Sequence, residues 1–212
     1  MLRLVFVEAS LETIPKSIAN HPSVLSDAKR RKKRPTDMIL DDSKHHLAMK
    51  GLEKREKRGR PDIIHQCLLL ALDSPIEDLE IFVHTINDIV IWINRETRLP
   101  RNYNRFIGLM EDLFKKGEIK ADGTLLKITD LSLRDVLRDR KVVVMSEKGE
   151  EKEIESGDVA VCIGAFPHGD FDEKNVKLFR ELNAEFISIA RRPVTALYTT
   201  CRVISSFQRI FP

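Results

Sequence analysis

Arg60 and Asp62 flank Pro61 directly before an apolar stretch, I-I-H-Q-C-L-L-L-A-L-D-S-P, so a guanidinium and a carboxylate meet at a residue suited to a helix start. Proline at the first helical position lacks an N–H that would be unpaired there anyway, and a carboxylate in the first turn favours the positive end of the helix. The same carboxylate can pair with Arg60, and an arginine held this way is aimed rather than mobile in solvent. Taken alone, such a motif is most simply a helix start with a surface ion pair of small energy.

A second set of cations, Arg95, Arg98, Arg101 and Arg105, threads through T-R-L-P-R-N-Y-N-R-F. Arg98, Arg101 and Arg105 are three and four residues apart. A helix beginning near Arg101 would place them on one face, with Tyr103 and Phe106 as flat surfaces beside them. Arginine grips phosphate bidentately and aromatic rings stack on unpaired bases, which is how loop RNA is read. The unbroken run Lys29 to Arg34 adds six cations that cannot pack inside.

Other chemistries lack support. The loop G-A-F-P-H-G-D after a strand has neither the G-K-[ST] of a phosphate-binding loop nor dinucleotide glycine spacing; Gly164 and Gly169 instead permit close backbone approach, as to an adenine edge or a ribose. His65 lies on an apolar helix face and reads as a core residue. His45, His46, His84 and His168 show no metal-ligand spacing, so no metal is expected. Cys67, Cys162 and Cys201 are dispersed and odd in number, which argues against a disulfide framework and for a reducing cytoplasm. No nucleophile elbow or cysteine–histidine pair points to covalent catalysis.

These groups need a scaffold. The chain has 212 residues, 42% of them hydrophobic, and a net charge of +3, enough for one sizeable domain with a real core. Strands are expected at Leu2–Glu8, Leu125–Ile128, Val142–Met145, Val159–Ile163 and Glu185–Ile189, with a hairpin formed by Ile81–His84 and Ile89–Ile93. Helices are expected at Ile14–Ala19, from a cap at Asp42 or Ser43 to Met49, at Ile63–Leu72, Tyr103–Lys116, Leu133–Leu137, Val176–Leu182, and from about Thr195 to Arg209. The residues between Pro22 and Pro35 read as a polar connection. The regular alternation near the C-terminus implies a parallel α/β sheet, whose ligands bind outside the carboxyl ends of the strands, where Gly164–Phe171 and Ala190–Pro193 fall. No apolar run approaches a membrane span.

Four long motifs stand in order along nearly the whole chain: K-R-P-T-D-M-I-L-D-D-S-K-H-H, R-P-D-I-I-H-Q-C-L-L-L-A-L-D-S-P, T-R-L-P-R-N-Y-N-R-F and I-G-A-F-P-H-G-D-F. On them the sequence resembles the ribosome-biogenesis methyltransferases of the SPOUT class, most of all the archaeal members, which methylate the N-1 nitrogen of a pseudouridine in small-subunit ribosomal RNA. The resemblance implies one SPOUT domain over residues 1–212: an α/β fold with a parallel sheet, helices on both faces and a C-terminal trefoil knot. Added to it are a basic RNA-binding segment at about 29–60 and a β-hairpin insertion with the arginine corner at about 80–105.

The resemblance also implies an S-adenosylmethionine site formed from the knot. Its contacts, mostly through backbone, would come from Met145 or Ser146, from Gly164, from Gly169, Asp170 and Phe171, and from Arg192, Pro193, Val194, Thr195, Ala196 and Leu197. RNA contacts would come from Arg60, Arg98, Arg101 and Arg105, with Asp62 bracing Arg60, and the protein would be a homodimer. Neither DNA nor a membrane is an expected partner. Methyl transfer from a sulfonium to a ring nitrogen requires positioning rather than a covalent intermediate. Asp62 is the one candidate proton acceptor, although bracing Arg60 is its more natural task. The competing reading is a noncatalytic RNA-binding assembly factor with a SPOUT fold, which would share the basic surface but would not need the glycine loop and the 192–197 segment together.

Overall fold

Strand β1 (Leu2–Ala9), L-R-L-V-F-V-E-A, is buried along its whole length, as a strand covered on both faces must be. In the computed structural model, which describes residues 1–155 and 157–208, it lies inside an eight-stranded sheet. The other strands are β2 (Leu79–Thr85), β3 (Val90–Ile93), β4 (Glu118–Lys120), β5 (Thr124–Thr129), β6 (Lys141–Glu151), β7 (Val159–Gly164) and β8 (Glu185–Ser188). Their order is β4-β5-β3-β2-β1-β7-β6-β8. From β2 to β8 all neighbours are parallel, while β3, β5 and β4 continue the sheet antiparallel from the hairpin β2–β3. The expected hairpin is therefore present, and it extends the parallel sheet rather than standing apart from it.

Helices cover both faces. On one face α3 (Pro61–Asp73), α4 (Tyr103–Lys116) and α7 (Ala196–Phe207) bury Ile64, Leu68, Phe106, Met110 and Val203 against Leu4 and Phe6 of β1. On the other, α5 (Leu133–Leu137) and α6 (Glu173–Glu181) bury Val136, Leu137 and Phe179 against Val5 and Val7. This split follows from the two-residue period of β1. α4 starts where the Asn102 side chain accepts the Arg105 N–H and stops at Gly117, whose φ of 81° ends the helix in the left-handed region. The expected C-terminal end of the last helix, Arg209, lies outside the described residues.

Several elements differ from the sequence expectation: Ile14–Ala19 holds only the 3-10 turn Lys16–Ile18, β4 has no counterpart in that expectation, and two helices depart further. Pro22–Arg31 forms helix α1, started by Pro22 at its first position and capped by the His21 ring rather than by a Ser, Thr, Asp or Asn side chain. The basic run is thus not a solvated linker. Arg31 and Lys33 reach inward to Glu111, whose side chain is only 2% exposed, at 2.7 and 2.6 Å. The helix α2 (Asp42–His45) is capped by Asp41, one residue before the expected cap, and stops well short of Met49.

Strand β6 runs past Met145 through an irregularity: both Met145 and Glu150 register with Ile187 of β8. The extra residues fold out and carry Ser146, Glu147 and Lys148 towards the site described below. Gly149 makes the return possible, because a Cβ there would stand 2.6 Å from the Ile187 and Phe186 backbone. Gly149→Ala is expected to destabilise the protein by about 1–3 kcal/mol, since backbone cannot yield as a side chain can. A urea midpoint unchanged by this substitution would contradict the packing described.

Candidate functional site

A cavity of about 800 Å³ opens at the carboxyl ends of β7 and β8. Three loops and two helix starts form it. The loop after β7 contributes Gly164, Phe166, Pro167, His168, Gly169, Asp170 and Phe171; the β6 irregularity contributes Met145 and Ser146 to Lys148; and the segment after β8 contributes Ile189, Ala190, Arg192 and Val194. Thr195 to Leu197 come from the start of α7, and Arg60, Asp62, Ile63 and Gln66 from the start of α3. Every expected cofactor residue lines this cavity except Pro193, which lies in the bordering segment without facing in.

Local chemistry explains the shape. Gly169 has φ of +96°, a conformation that side chains resist, and it turns the loop between His168 and Asp170. The Asp170 carboxylate accepts from Lys148 at 2.8 Å, an exposed pair bridging the β6 irregularity and the glycine loop across the mouth. Hydrogen bonding to Lys148 holds the Asp170 carboxyl below the usual carboxylate range. The Thr195 hydroxyl caps α7 by accepting the Tyr198 N–H, leaving the helix start directed at the cavity.

Arg60 stands on the cavity wall with its Nε and Nη2 each 2.8 Å from a different oxygen of Asp62. This bidentate hydrogen bond raises the Arg60 pKa and fixes the plane of the guanidinium. Its backbone N–H donates to the Ser10 hydroxyl at 2.8 Å, anchoring the helix start to the end of β1.

The arginine corner lies elsewhere. Arg98 and Arg101 line a separate cavity of about 590 Å³ beside Leu72 and Asp73 at the carboxyl end of α3, while Arg60 is at its amino end. Thirteen helical residues separate the two by about 20 Å. The expected shared helical face does not form, because the helix begins at Tyr103 and leaves Arg98 and Arg101 in the preceding irregular segment. Arg101 pairs with Asp73 at 2.8 Å, and Arg105 is exposed on α4. Arg95 is structural: it donates to the carbonyls of Leu72, Ser74 and Ile76, closing the end of α3.

The aromatic residues beside these arginines are held by internal contacts. Phe106 is fully buried and stacks on His65 at 4.2 Å between centroids, and the Tyr103 hydroxyl donates to Asp41 at 2.9 Å. Phe106 therefore offers no face to a base, and Tyr103 is half-buried. His65 is a packed core residue whose Nε2 meets the Pro100 carbonyl at 2.8 Å. Burial pushes the Cys67 thiol up to about 11 and that of Cys162 higher still, keeping both as thiols.

A charged cluster beneath the glycine loop was not anticipated. The Lys57 ammonium lies 2.6 Å from Glu8 and 2.8 Å from Asp172, and 4.6 Å above the centre of the Phe166 ring. The other Glu8 oxygen accepts from the Asp172 N–H and from Asn175, both at 2.7 Å. Its one local sign is a glutamate at the carboxyl end of a buried strand, in a backbone conformation with φ of 53°. Asp42 and Gln66 were likewise not singled out as site residues.

Among the described residues no cluster could hold a metal ion, and no helix is long and apolar enough to cross a membrane. Residues 4–208 match the family described as EMG1/NEP1 methyltransferase. The chain is 57% identical over 210 residues to the ribosomal RNA small subunit methyltransferase Nep1 of Archaeoglobus fulgidus, covering 97% of this chain and 95% of that protein. It is 43% identical over 220 residues to that of Saccharolobus solfataricus, covering 99% and 97%. The fold superposes on the crystal structure of Archaeoglobus fulgidus Nep1 bound to S-adenosylhomocysteine with a TM-score of 0.92 and 56% identity, covering 97% of this chain and 96% of that one.

Proposed function

Because this chain belongs to the EMG1/NEP1 methyltransferase family, we propose that it is a SPOUT-type enzyme that methylates small-subunit ribosomal RNA with S-adenosylmethionine during ribosome biogenesis. We further propose that the acceptor is the N-1 nitrogen of a pseudouridine. The observation carrying this reading is the meeting, in one cavity, of the glycine loop, the 192–197 segment and the braced Arg60. The relative crystallised with S-adenosylhomocysteine supports the choice of cofactor.

The residues fit that cofactor. A cavity of about 800 Å³ suits a nucleoside joined to an amino acid, and its walls combine apolar faces of Met145, Phe171, Val194 and Leu197 with peptide groups of the loops. The sulfonium supplies an activated methyl group. The chain's own task is to hold the acceptor nitrogen in line with it and to exclude water. Arg60, aimed by Asp62, is placed to neutralise a phosphate or an anionic base edge at the rim. Arg98, Arg101 and Arg105 would engage RNA further along, about 20 Å away at the other end of α3. The trefoil knot belongs to the same reading, since the segment from β8 to α7 borders the cavity.

The homodimer is also part of the proposal. Leu197 and Tyr198 at the start of α7 are 37% and 46% exposed, apolar surface that a second copy would cover. The cytoplasm is the location that best suits such an enzyme.

Two measurements test the function. Calorimetry is expected to show S-adenosylmethionine binding, and its absence would leave only the noncatalytic assembly-factor reading. Mass spectrometry of paired oligonucleotides after incubation should show methylation of the pseudouridine form alone. Equal modification of the uridine form would refute the acceptor assignment.

A further inference from the structure

A smaller cleft of about 370 Å³ adjoins the cofactor cavity. Asp42 and His46 line one side, Arg55 and Arg58 another, and Arg60, Pro167 and His168 belong to both spaces. A group placed in the small cleft therefore touches the same wall as the cofactor. The cationic side chains around it suit a phosphate-bearing ligand that enters beside Arg60.

Of the carboxylates bordering these spaces, Glu56 is exposed on the small cleft, while Asp42 and Asp62 flank Arg60 and differ in their partners. Each oxygen of Asp62 accepts from Arg60 at 2.8 Å. Both oxygens are thus engaged by the guanidinium, which leaves neither free to turn towards a substrate. Asp42 is half-buried, and among the described residues no side chain donates a hydrogen bond to its carboxylate. Burial raises its pKa, and the charges of Asp41 and Asp62 add to this against the pull of Arg60 and of the Ser43 backbone N–H. Its backbone N–H donates to the Gly59 carbonyl at 2.8 Å, which fixes Asp42 against the residue preceding Arg60.

Resting on the methyl-transfer reading above, we propose that this cleft receives the extruded target nucleotide and that Asp42, not Asp62, accepts the N-1 proton. A base must leave its stack to reach the methyl group, and a walled cleft beside the cofactor is where such a nucleotide can be held. As the N-1–H bond breaks, its proton passes to an Asp42 oxygen and its electron pair forms the bond to the methyl carbon. The carbon–sulfur bond breaks with its pair remaining on sulfur, so the sulfonium becomes a neutral thioether. Protonated Asp42 then releases the proton to solvent. Arg60, held by Asp62, stabilises the ring as it becomes anionic. Uridine carries its sugar on N-1 and has no proton there for Asp42 to accept, so the same carboxylate accounts for selection of pseudouridine.

The test compares the full-length chain with Asp42→Asn and Asp42→Ala. Single-turnover methyl transfer to a pseudouridine oligonucleotide is expected to fall by about 10²–10⁴-fold in Asp42→Asn, the range for loss of a general base. Affinity for S-adenosylhomocysteine and for the uridine oligonucleotide should stay within about twofold. In binding assays with S-adenosylhomocysteine present, the wild type should prefer the pseudouridine oligonucleotide by about tenfold, and Asp42→Ala should lose that preference with its charge-assisted hydrogen bond. Asp42→Asn keeps the side-chain shape and carries the kinetic test if the alanine variant unfolds. Transfer by Asp42→Asn within about threefold of the wild type would overturn the assignment. Failure of the wild type to methylate either oligonucleotide would instead sink the activity reading, and the binding comparison would still decide whether Asp42 distinguishes the two bases.

Discussion

Lys57→Met is expected to cost about 3–5 kcal/mol of stability and to weaken S-adenosylmethionine binding at least about tenfold. Lys57 and Glu8 are 6% and 2% exposed at the side chain, so removing the cation leaves Glu8 buried without a counter-charge, with only the Asp172 N–H and Asn175 as donors. The methionine restores volume but supplies no donor. The cofactor effect follows from position: Lys57 underlies Phe166, and its Cε stands 3.5 Å from where a Cβ of Gly169 would be, so the ammonium supports the loop from below. Burial opposes ionisation of Asp172, but Lys54 and Lys57 outweigh it and hold this carboxyl below its usual pKa. A depressed carboxyl pKa contributes stability above the unfolded value of about 4, and that contribution is lost as pH falls through the folded value. The cost of Lys57→Met should therefore shrink in acid, as Asp172 becomes protonated and no longer needs a cation. Urea melts at several pH values and calorimetry measure both effects. A variant as stable as the wild type at neutral pH would show that Glu8 is satisfied without Lys57.

The second large effect concerns RNA. Arg60→Glu replaces a guanidinium, fixed by two 2.8 Å contacts, with a carboxylate beside Asp62 and near Asp42. RNA affinity is expected to fall by about 10–100-fold, the loss of one charge-assisted contact, with further weakening from repulsion. The dependence of log K on log salt should become shallower by about 0.7, the value for one phosphate contact on a single strand. Asp62→Asn should lose less, because the cation remains while its orientation is relaxed. Cofactor affinity, measured in parallel, should change much less than RNA affinity in both variants. An unchanged salt slope in Arg60→Glu would remove this residue from the RNA surface.

Legibility in the sequence depended on how local each signal was. Tyr103–Lys116 and Leu133–Leu137 could be bounded to the residue, because periodic apolar positions and an Asn or Ser cap lie within a few residues of one another, with Gly117 closing the first. α1 escaped because its cap is a histidine and its buried stripe is thin, only Val24 and Ala28 among apolar residues, so the apolar period was too weak to see. The cofactor segments could be named from their motifs, and all but Pro193 face one cavity. The arginine corner misled in detail: its spacing fits a helical face only if the helix starts two residues earlier than it does.

By itself the sequence determined the helix and strand inventory over most of the chain, the arginine braced at the start of α3, and the family. Those are properties of short windows and ordered motifs. Only the tertiary structure decided which charges are buried and which cavity each residue faces. Lys57 meets Glu8 across 49 residues and Asp172 across 115, and Glu8 meets Asn175 across 167. Arg60 and Arg101, close in the chain's apparent chemistry, are held apart by the rigid length of α3. Asp42 and Asp62 look alike as letters; one is occupied by a guanidinium and the other is not, because a hydrogen bond to Gly59 and the packing of α2 set where each carboxylate points.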